Sequence, residues 1–155
     1  MHSTYNTDRL AAALLDLVGM LNSPRQDDVL LHEAGVSIDR ALFPLLVRIG
    51  AAGSLSVVAL AEQVGRDHST VSRQTAKLAD LGLVTRRPAV RDQRVREAVI
   101  TADGRRAVKA ITMARRRLLA KLLADWSVKD RETLARLNRR LAGAMMKARS
   151  STVLE

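Results

Sequence analysis

The chain has 155 residues, 47% of them hydrophobic and 27% charged, which predicts one folded domain, or one with an extension, and excludes a disordered chain. It has no cysteine, which excludes thiol catalysis, disulfides and cysteine zinc sites, and only 2% aromatic residues, which disfavours single-strand binding by base stacking. The net charge of +10 is uneven, −2 over residues 1–85 and +12 over residues 86–155, and such asymmetry indicates a polyanionic partner.

The N-terminal segment has helical periodicity. Apolar residues between Asp8 and Asn22 predict helix one, with a face formed by Leu10, Leu14, Leu17, Val18 and Leu21. The next stretch, from Arg25 to Glu33, is mixed in character and the pattern assigns it no structure.

The second predicted helix contains a proline. Ser37 is expected to cap this helix, which runs to about Ile49 with apolar residues at Leu42, Leu45, Leu46 and Ile49. Because Pro44 has no N–H to donate, we expect a kink or a later start of the helix. Gly50 and Gly53 are then predicted to bracket a turn.

Two short helices separated by a tight turn come next. Ser56 is predicted to cap the third helix, which Gly65 closes and whose inward residues are Val57, Leu60, Ala61 and Val64. Asp67 is predicted to cap the fourth, from about His68 to Leu81. Its apolar face is predicted at Val71, Thr75, Leu78 and Leu81. The opposite face is hydroxylic and cationic and comprises Ser69, Thr70, Ser72, Arg73 and Lys77.

After the fourth helix, the pattern of residues changes from one typical of helices to one typical of the strands of a β-hairpin. Residues 83–87 are predicted to form a strand, 88–93 a loop and 94–100 the return strand. Arginines crowd this hairpin, at Arg86, Arg87, Arg91, Arg94 and Arg96. So much like charge favours an anionic partner, and a narrow minor groove attracts inserted arginine. Asp92 is expected to orient the Arg94 side chain through a charge-assisted bond.

Two helices are predicted after the hairpin. Thr101 caps a long one that continues to Trp126, and Ser127 opens a capping box for the last, whose apolar stripe is Leu134, Leu137, Leu141 and Met145. The stripes at the two chain ends are either ordinary core or a shared interface. A monomer of this size would have difficulty covering both, which favours a dimer. Trp126 and His32 are interpreted either as lining a ligand pocket or as ordinary packing and surface residues.

Two short helices followed at once by a basic hairpin form the plan of a winged helix-turn-helix. The predicted fold class is therefore mainly α, with a winged DNA-binding core over residues 37–104 and dimerisation helices over residues 1–36 and 105–155. Small hydroxylic residues allow close entry to a groove, arginine can bond guanine bidentately and lysine can contact phosphate. The alternatives are a solvated helix face and, at the hairpin tip, a solvated turn with a surface ion pair.

Three motifs follow one another along this core. They are LAEQVG, STVSRQTAKLADLGLV, and a D-x-R wing, Asp92-Gln93-Arg94, that ends in the exit ITADG. In this order they resemble the DNA-binding core of the multiple-antibiotic-resistance regulator (MarR) family, where leucine is usual at the position of Ile100. Pro44 departs from the family pattern, and the generally apolar effector pocket of the family has no diagnostic residue in this sequence.

The resemblance implies a homodimer with interleaved terminal helices and two winged domains that bind a near-palindrome. It implies that Ser69, Thr70, Ser72 and Arg73 enter the major groove, that Lys77 contacts the DNA backbone, and that Arg94, held by Asp92, enters the minor groove. With Arg86 and Arg91 from the basic hairpin, these residues form the predicted DNA-binding set.

The leading hypothesis is a sequence-specific regulator of double-stranded DNA, a repressor relieved by a small apolar or aromatic effector. The alternative is a nonspecific architectural nucleic-acid-binding protein. Membrane association through the basic amphipathic segment 105–121 is disfavoured because it lacks aromatic residues to insert. No catalytic constellation or metal-ligand set stands out, so we expect no enzyme, no metal and no cofactor. The start MHSTYNTDR lacks the features of a signal peptide, and a cytoplasmic protein is expected.

Overall fold

Seven helices and three short strands make up residues 2–152, the part of the chain that the computed structural model describes. In chain order they are α1 (His2–Leu21), α2 (Pro24–Ala34), α3 (Phe43–Ala52), β1 (Ser54–Ser56), α4 (Val57–Val64), α5 (His68–Asp80), β2 (Val84–Pro88), β3 (Arg96–Ile100), α6 (Ala102–Leu122) and α7 (Val128–Thr152). The predicted mainly helical class is confirmed. The chain divides into two compact units between Arg116 and Arg117, a point inside α6.

The first two helices meet at Ser23-Pro24. Helix one is confirmed as α1, although it begins at His2, six residues earlier than predicted. The unassigned stretch is helical: α2 has Pro24 in its first turn, where the missing N–H costs no helical hydrogen bond. Gly35, at φ +67°, ends α2 in the left-handed region that glycine favours. Only Leu30 and Leu31 of this helix are buried, a pair too small to create a visible period.

The second predicted helix starts later than Ser37. It begins at Phe43 as α3, which places Pro44 in the first turn and explains why Ser37 is not its cap. Gly50 lies inside α3 rather than in a turn. The helix passes close to α6 at this residue, since a Cβ on Gly50 would lie 2.9 Å from Val108 Cγ2. Gly53, at φ +80°, ends the helix as expected.

The two short helices are capped as predicted. Ser56 Oγ accepts a hydrogen bond from the Ala59 N–H at 3.1 Å at the start of α4, and Gly65 ends this helix. Asp67 Oδ1 accepts from the Thr70 N–H at 2.8 Å at the start of α5. Val71, Thr75 and Leu78 are buried, but Leu81 lies beyond the last turn and is 51% exposed, so its predicted place on the apolar face is wrong.

The hairpin forms most of a three-stranded antiparallel sheet with the order β1-β3-β2. Val84 pairs with Ile100 and Pro88 with Arg96, so the connecting loop spans residues 89–95 and the return strand begins two residues later than predicted. Strand β1, which pairs Ser54 with Val99, was not predicted because three residues do not establish an alternating pattern. Through β1, the sheet connects the hairpin to the segment that directly precedes α4.

The core of the first unit lies under α5. Six side chains from three helices, Leu45, Leu46, Ile49, Leu60, Val71 and Leu78, have no exposed surface. Thr101 Oγ1 donates to the Gly82 carbonyl at 2.7 Å and accepts from the Gly104 N–H at 3.0 Å, so the predicted cap of α6 also holds the end of α5. Burial of one face of α5 leaves its opposite face to solvent.

Exposure distinguishes the terminal helices from this core. Among the side chains that the structure describes, none in α1 or α7 is buried. The long helix α6 ends at Leu122, not at Trp126, which lies in the turn before α7. The predicted cap of the last helix is confirmed, since Ser127 Oγ accepts from the Asp130 N–H at 3.1 Å.

Candidate nucleic-acid interface

Buried residues on one side of α5 orient the other side toward solvent. Thr75, the one polar residue of this buried face, donates its hydroxyl hydrogen to the Ser72 carbonyl at 2.9 Å and is therefore satisfied. On the opposite face Ser69, Arg73 and Lys77 are exposed, while Thr70 and Ser72 are half-buried. The structure therefore brings together the five predicted residues of this helix on one surface.

Arg66 attaches α5 to the segment that precedes α3. Its Nη1 donates to the Ala41 carbonyl at 2.7 Å and to Gln74 Oε1 at 2.9 Å. The sequence contained no signal for this residue, because its two partners lie 25 residues before it and 8 residues after it. Arg66 restrains the orientation of α5 without lying on its outward face.

The first turn of α5 is organised around the Asp67 carboxylate. Oδ1 accepts from the Ser69 hydroxyl at 2.6 Å as well as from the Thr70 N–H, and Oδ2 accepts from the Thr70 hydroxyl at 2.6 Å. These bonds, first that from the Ser69 side chain and then those from Thr70, hold the pKa of Asp67 well below its usual range. Asp67 was predicted as a helix cap only, and its contacts with two candidate base-reading hydroxyls require the three-dimensional structure.

The base of the wing contacts α5. Arg86 Nη2 of β2 lies 3.4 Å from Ser72 Oγ, within hydrogen-bonding reach of a residue 14 positions earlier. The neighbouring Arg87 forms an ion pair with Glu97 across the hairpin, with 2.7 Å between Nε and Oε1. Of these two arginines, Arg86 is directed to the helix face and Arg87 to its own hairpin.

The tip of the wing presents charge to solvent. Arg91, Asp92 and Arg94 are all exposed. The Asp92 Oδ1 atom accepts from the main-chain N–H of Arg94 at 3.0 Å, so its observed contact shapes the loop backbone rather than the guanidinium, which differs from the predicted side-chain bond. Two further main-chain bonds close the loop, from Ala89 N to Val95 O and from Val95 N to Asp92 O. The tip is thus an ordered turn that carries exposed arginines.

The arrangement offers hydrogen bonds and positive charge rather than a reaction centre. In the described part of the chain, no three histidine or acidic side chains lie close enough together to hold a metal ion. Every helix within residues 2–152 is too short or too polar to span a bilayer. Serine, threonine and arginine on a protruding helix, with arginines on an adjacent wing, are suited to base edges and phosphates.

An open cleft lies at the edge of this surface, with Lys77 among its lining residues, and another lies in the second unit. One, of about 560 Å³, is lined by Ser37, Ile38, Asp39, Leu42, Lys77, Asp80 and Leu81 in the first unit. The other, of about 510 Å³, lies in the second unit and is lined by Asp125, Trp126, Asp130, Thr133, Leu134 and Leu137. Trp126 therefore lines a cleft, as one of its two interpretations required, whereas His32 is an exposed residue of α2.

Comparison with known proteins agrees with this geometry. Residues 38–95 match the sequence profile of the MarR family. An HTH-type transcriptional regulator of Bacillus subtilis strain 168, YxaD, is 31% identical over 110 residues, which cover 71% of this chain and 77% of the relative. YdgJ, another HTH-type regulator of that organism, is 28% identical over 102 residues, 66% of this chain and 62% of the relative.

Solved structures match over most of the chain. A MarR family protein from Bacillus stearothermophilus is 25% identical, with a TM-score of 0.75 over 90% of this chain and 97% of that one. Wild-type MarR from E. coli, in its apo form, is 23% identical, with a TM-score of 0.67 over 83% of this chain and 95% of that one. At 23% identity, the likeness to the E. coli protein shows the fold alone. It extends the match beyond the winged core to the flanking helices.

Proposed function

Because the chain belongs to the MarR family of DNA-binding transcriptional regulators, which are not enzymes, we propose that it is a homodimeric, ligand-responsive repressor of a near-palindromic operator. The observation that carries the proposal is the surface shared by α5 and the wing, where Arg86 of β2 reaches Ser72 of α5. This contact supports a single DNA-facing surface, because it links the candidate base-reading helix to the hairpin.

The proposed roles of individual residues are supported by their chemistry and by their exposure. Ser69, Thr70, Ser72 and Arg73 enter the major groove, where hydroxyls and a guanidinium can bond base edges. Lys77, Arg86 and Arg91 contact phosphates, and Arg94 enters the minor groove from a loop that Asp92 holds in shape. These roles are supported by the exposure of four side chains, because DNA can reach them without a change in the fold. They are Arg73, Lys77, Arg91 and Arg94.

The terminal helices are proposed to form the dimer. Residues 1–36 and 105–155 serve as the dimerisation region around a winged core over residues 37–104. Leu10, Leu17 and Leu21 of α1 are exposed, as are Leu137 and Met145 of α7, each by 45% or more. A monomer that leaves such stripes in water loses the free energy of burying them, and a two-fold interface recovers it.

The effector is proposed to be a small apolar or aromatic molecule. Trp126 lies in the wall of the 510 Å³ cleft of the second unit, which is large enough for such a ligand.

Selection of bound sequences from a random pool of double-stranded DNA tests the proposal. We expect a near-palindrome whose half-site centres lie about one helical turn apart, roughly 10–10.5 base pairs. A nonspecific architectural protein would enrich no sequence, and unrelated DNA would compete with any chosen duplex equally well.

Two variants separate base reading from backbone contact. Arg73→Ala should relax the preference at one position of each half-site, because a bidentate base contact is lost. Lys77→Ala should weaken binding to all sequences alike and lower the salt dependence by about 0.9 per phosphate contact. Identical effects of the two variants on the selected profile, measured at one salt concentration, would contradict the proposed orientation of α5.

A further inference from the structure

The hydroxyl groups in the first turn of α5 have a defined hydrogen-bond direction. A serine or threonine hydroxyl has one hydrogen to donate and two lone pairs with which to accept. Ser69 donates its hydrogen to Asp67 Oδ1 and Thr70 donates its hydrogen to Asp67 Oδ2, both at 2.6 Å. The outward surface of both hydroxyls therefore consists of lone pairs.

Asp67 is able to maintain this direction. An ionised carboxylate cannot donate, and its short bonds from hydroxyl groups are charge-assisted and stronger than bonds between neutral groups. The Thr70 N–H, 2.8 Å from Oδ1, fixes the orientation of the carboxylate. Aspartate is ionised at neutral pH, and these hydrogen bonds hold the pKa of Asp67 lower still.

A neighbouring contact agrees with this direction. Arg73 Nη2 donates to Thr70 Oγ1 at 3.3 Å, so Thr70 already acts as an acceptor toward its own helix. One hydrogen donated to Asp67 and one lone pair used by Arg73 leave Thr70 a single remaining lone pair.

We propose that Asp67 is a specificity-determining positioning residue, which fixes Ser69 and Thr70 as acceptors so that they select bases with an amino group in the major groove, adenine or cytosine, on the contacted strand. Adenine N6 and cytosine N4 are donors in the major groove, whereas guanine O6 and thymine O4 are acceptors and would place lone pair against lone pair. This inference rests on the proposed function, because it assumes that α5 enters the major groove.

The variant Asp67→Asn tests the inference at one hydroxyl. Asparagine caps helices as well as aspartate does, so α5 should still begin at the same residue. Its carbonyl oxygen must face the Thr70 N–H and can still accept from Ser69, which places the amide nitrogen beside Thr70 Oγ1. Thr70 then becomes the acceptor within the helix, and its hydrogen is free to point outward.

The expected result is a change of base at one position of each half-site. The base that faces Thr70 should change from adenine or cytosine to guanine or thymine, with about a ten-fold or larger shift in the selected ratio. The base that faces Ser69 should keep its preference. A purely structural role of Asp67 would flatten both positions together and would not exchange one base class for the other.

Three further variants make the test specific. Asp39→Asn is the matched control, because Asp39 is also exposed, accepts from a main-chain N–H, that of Ala41 at 2.7 Å, and gives the same change in charge. It should leave the selected profile unchanged. Thr70→Val and Ser69→Ala remove one hydroxyl each, and the position at which each loses preference identifies the base that the hydroxyl faces.

The outcomes separate this inference from the function on which it rests. If the wild-type protein enriches no sequence, the proposed function is wrong and the inference with it. If the wild-type protein enriches a site but has guanine or thymine at the positions identified by Thr70→Val and Ser69→Ala, the role of Asp67 is wrong while the proposed function stands. The same conclusion follows if folded Asp67→Asn protein retains the wild-type base opposite Thr70.

Discussion

The winged core and the terminal helices have apolar stripes of similar period but differ in what covers them. In α3, Leu45, Leu46 and Ile49 have no exposed surface. In α1, Leu21 is 65% exposed, and in α7, Leu137 is 46% exposed. The comparison shows that periodicity predicts a helix and its apolar face, whereas the partner of that face depends on which other elements fold against it.

The largest expected effect comes from charging the α7 stripe. Leu137→Asp with Leu141→Asp should give a monomer, or an unfolded chain if dimerisation is obligate, because two carboxylates cannot remain unpaired in an apolar interface. Loss of the two-site contact should weaken operator binding by about 100- to 10,000-fold. Light scattering and gel-shift titration on the same sample measure both effects.

The control for that experiment places the same two charges outside the apolar stripe of α7. Ala135→Asp with Ala142→Asp places two carboxylates roughly a quarter turn or more around α7 from the centre of the stripe, at exposed positions. It should retain the dimer. A folded Leu137→Asp, Leu141→Asp monomer that binds a half-site with full affinity and specificity would refute the dimer mechanism.

Truncation of a core leucine should separate the two regions in stability. Leu46→Ala should lower the free energy of unfolding by about 2–5 kcal/mol, because it leaves a cavity at a fully buried site. Leu15→Ala, at a position outside the stripe of α1, should change it by less than about 0.5 kcal/mol. Urea unfolding of the two variants at one protein concentration checks the difference, and equal losses would contradict the assignment of the core.

Adding a methyl group provides the opposite test. In Gly104→Ala the new Cβ would collide with the Leu83 carbonyl oxygen and with the Ile100 side chain, and we expect a loss of about 1–3 kcal/mol. In Gly19→Ala, in α1, the Cβ meets no atom within 4 Å, and the higher helix propensity of alanine should stabilise the helix by up to about 1 kcal/mol. Thermal unfolding gives both signs, and a stabilised Gly104→Ala protein would be inconsistent with this close approach.

The smallest effects on the free energy of unfolding are expected at the wing tip, where exposed residues serve binding rather than stability. Arg94→Ala should weaken operator binding by roughly 1–3 kcal/mol with little change in unfolding, because its side chain is exposed. Asp92→Ala should weaken binding less, since the carboxylate acts through the main-chain N–H of Arg94. Gln93→Ala is the neutral control. Unchanged DNA affinity of a folded Arg94→Ala protein would remove the wing from the interface.

Features that depend on residues close together in the chain are predicted correctly by the sequence. The caps Ser56, Asp67 and Ser127 were predicted because each bonds an amide three residues away, a distance that the sequence displays directly. The outward face of α5 followed from helical geometry in the same way. The predicted DNA-binding residues of this helix therefore share one surface.

The sequence alone predicts six of the described helices, the hairpin, their order, and the chemistry of the α5 face and the wing, because these depend on residues one to four positions apart. Tertiary structure alone decided that Arg66 would reach Gln74, that Arg86 would lie beside Ser72 and that Gly104 would pack against Leu83. It also decided that Gly50 faces α6 instead of forming a turn. Such contacts join residues distant in the chain, and their geometry is set by the packing of whole elements rather than by any local pattern.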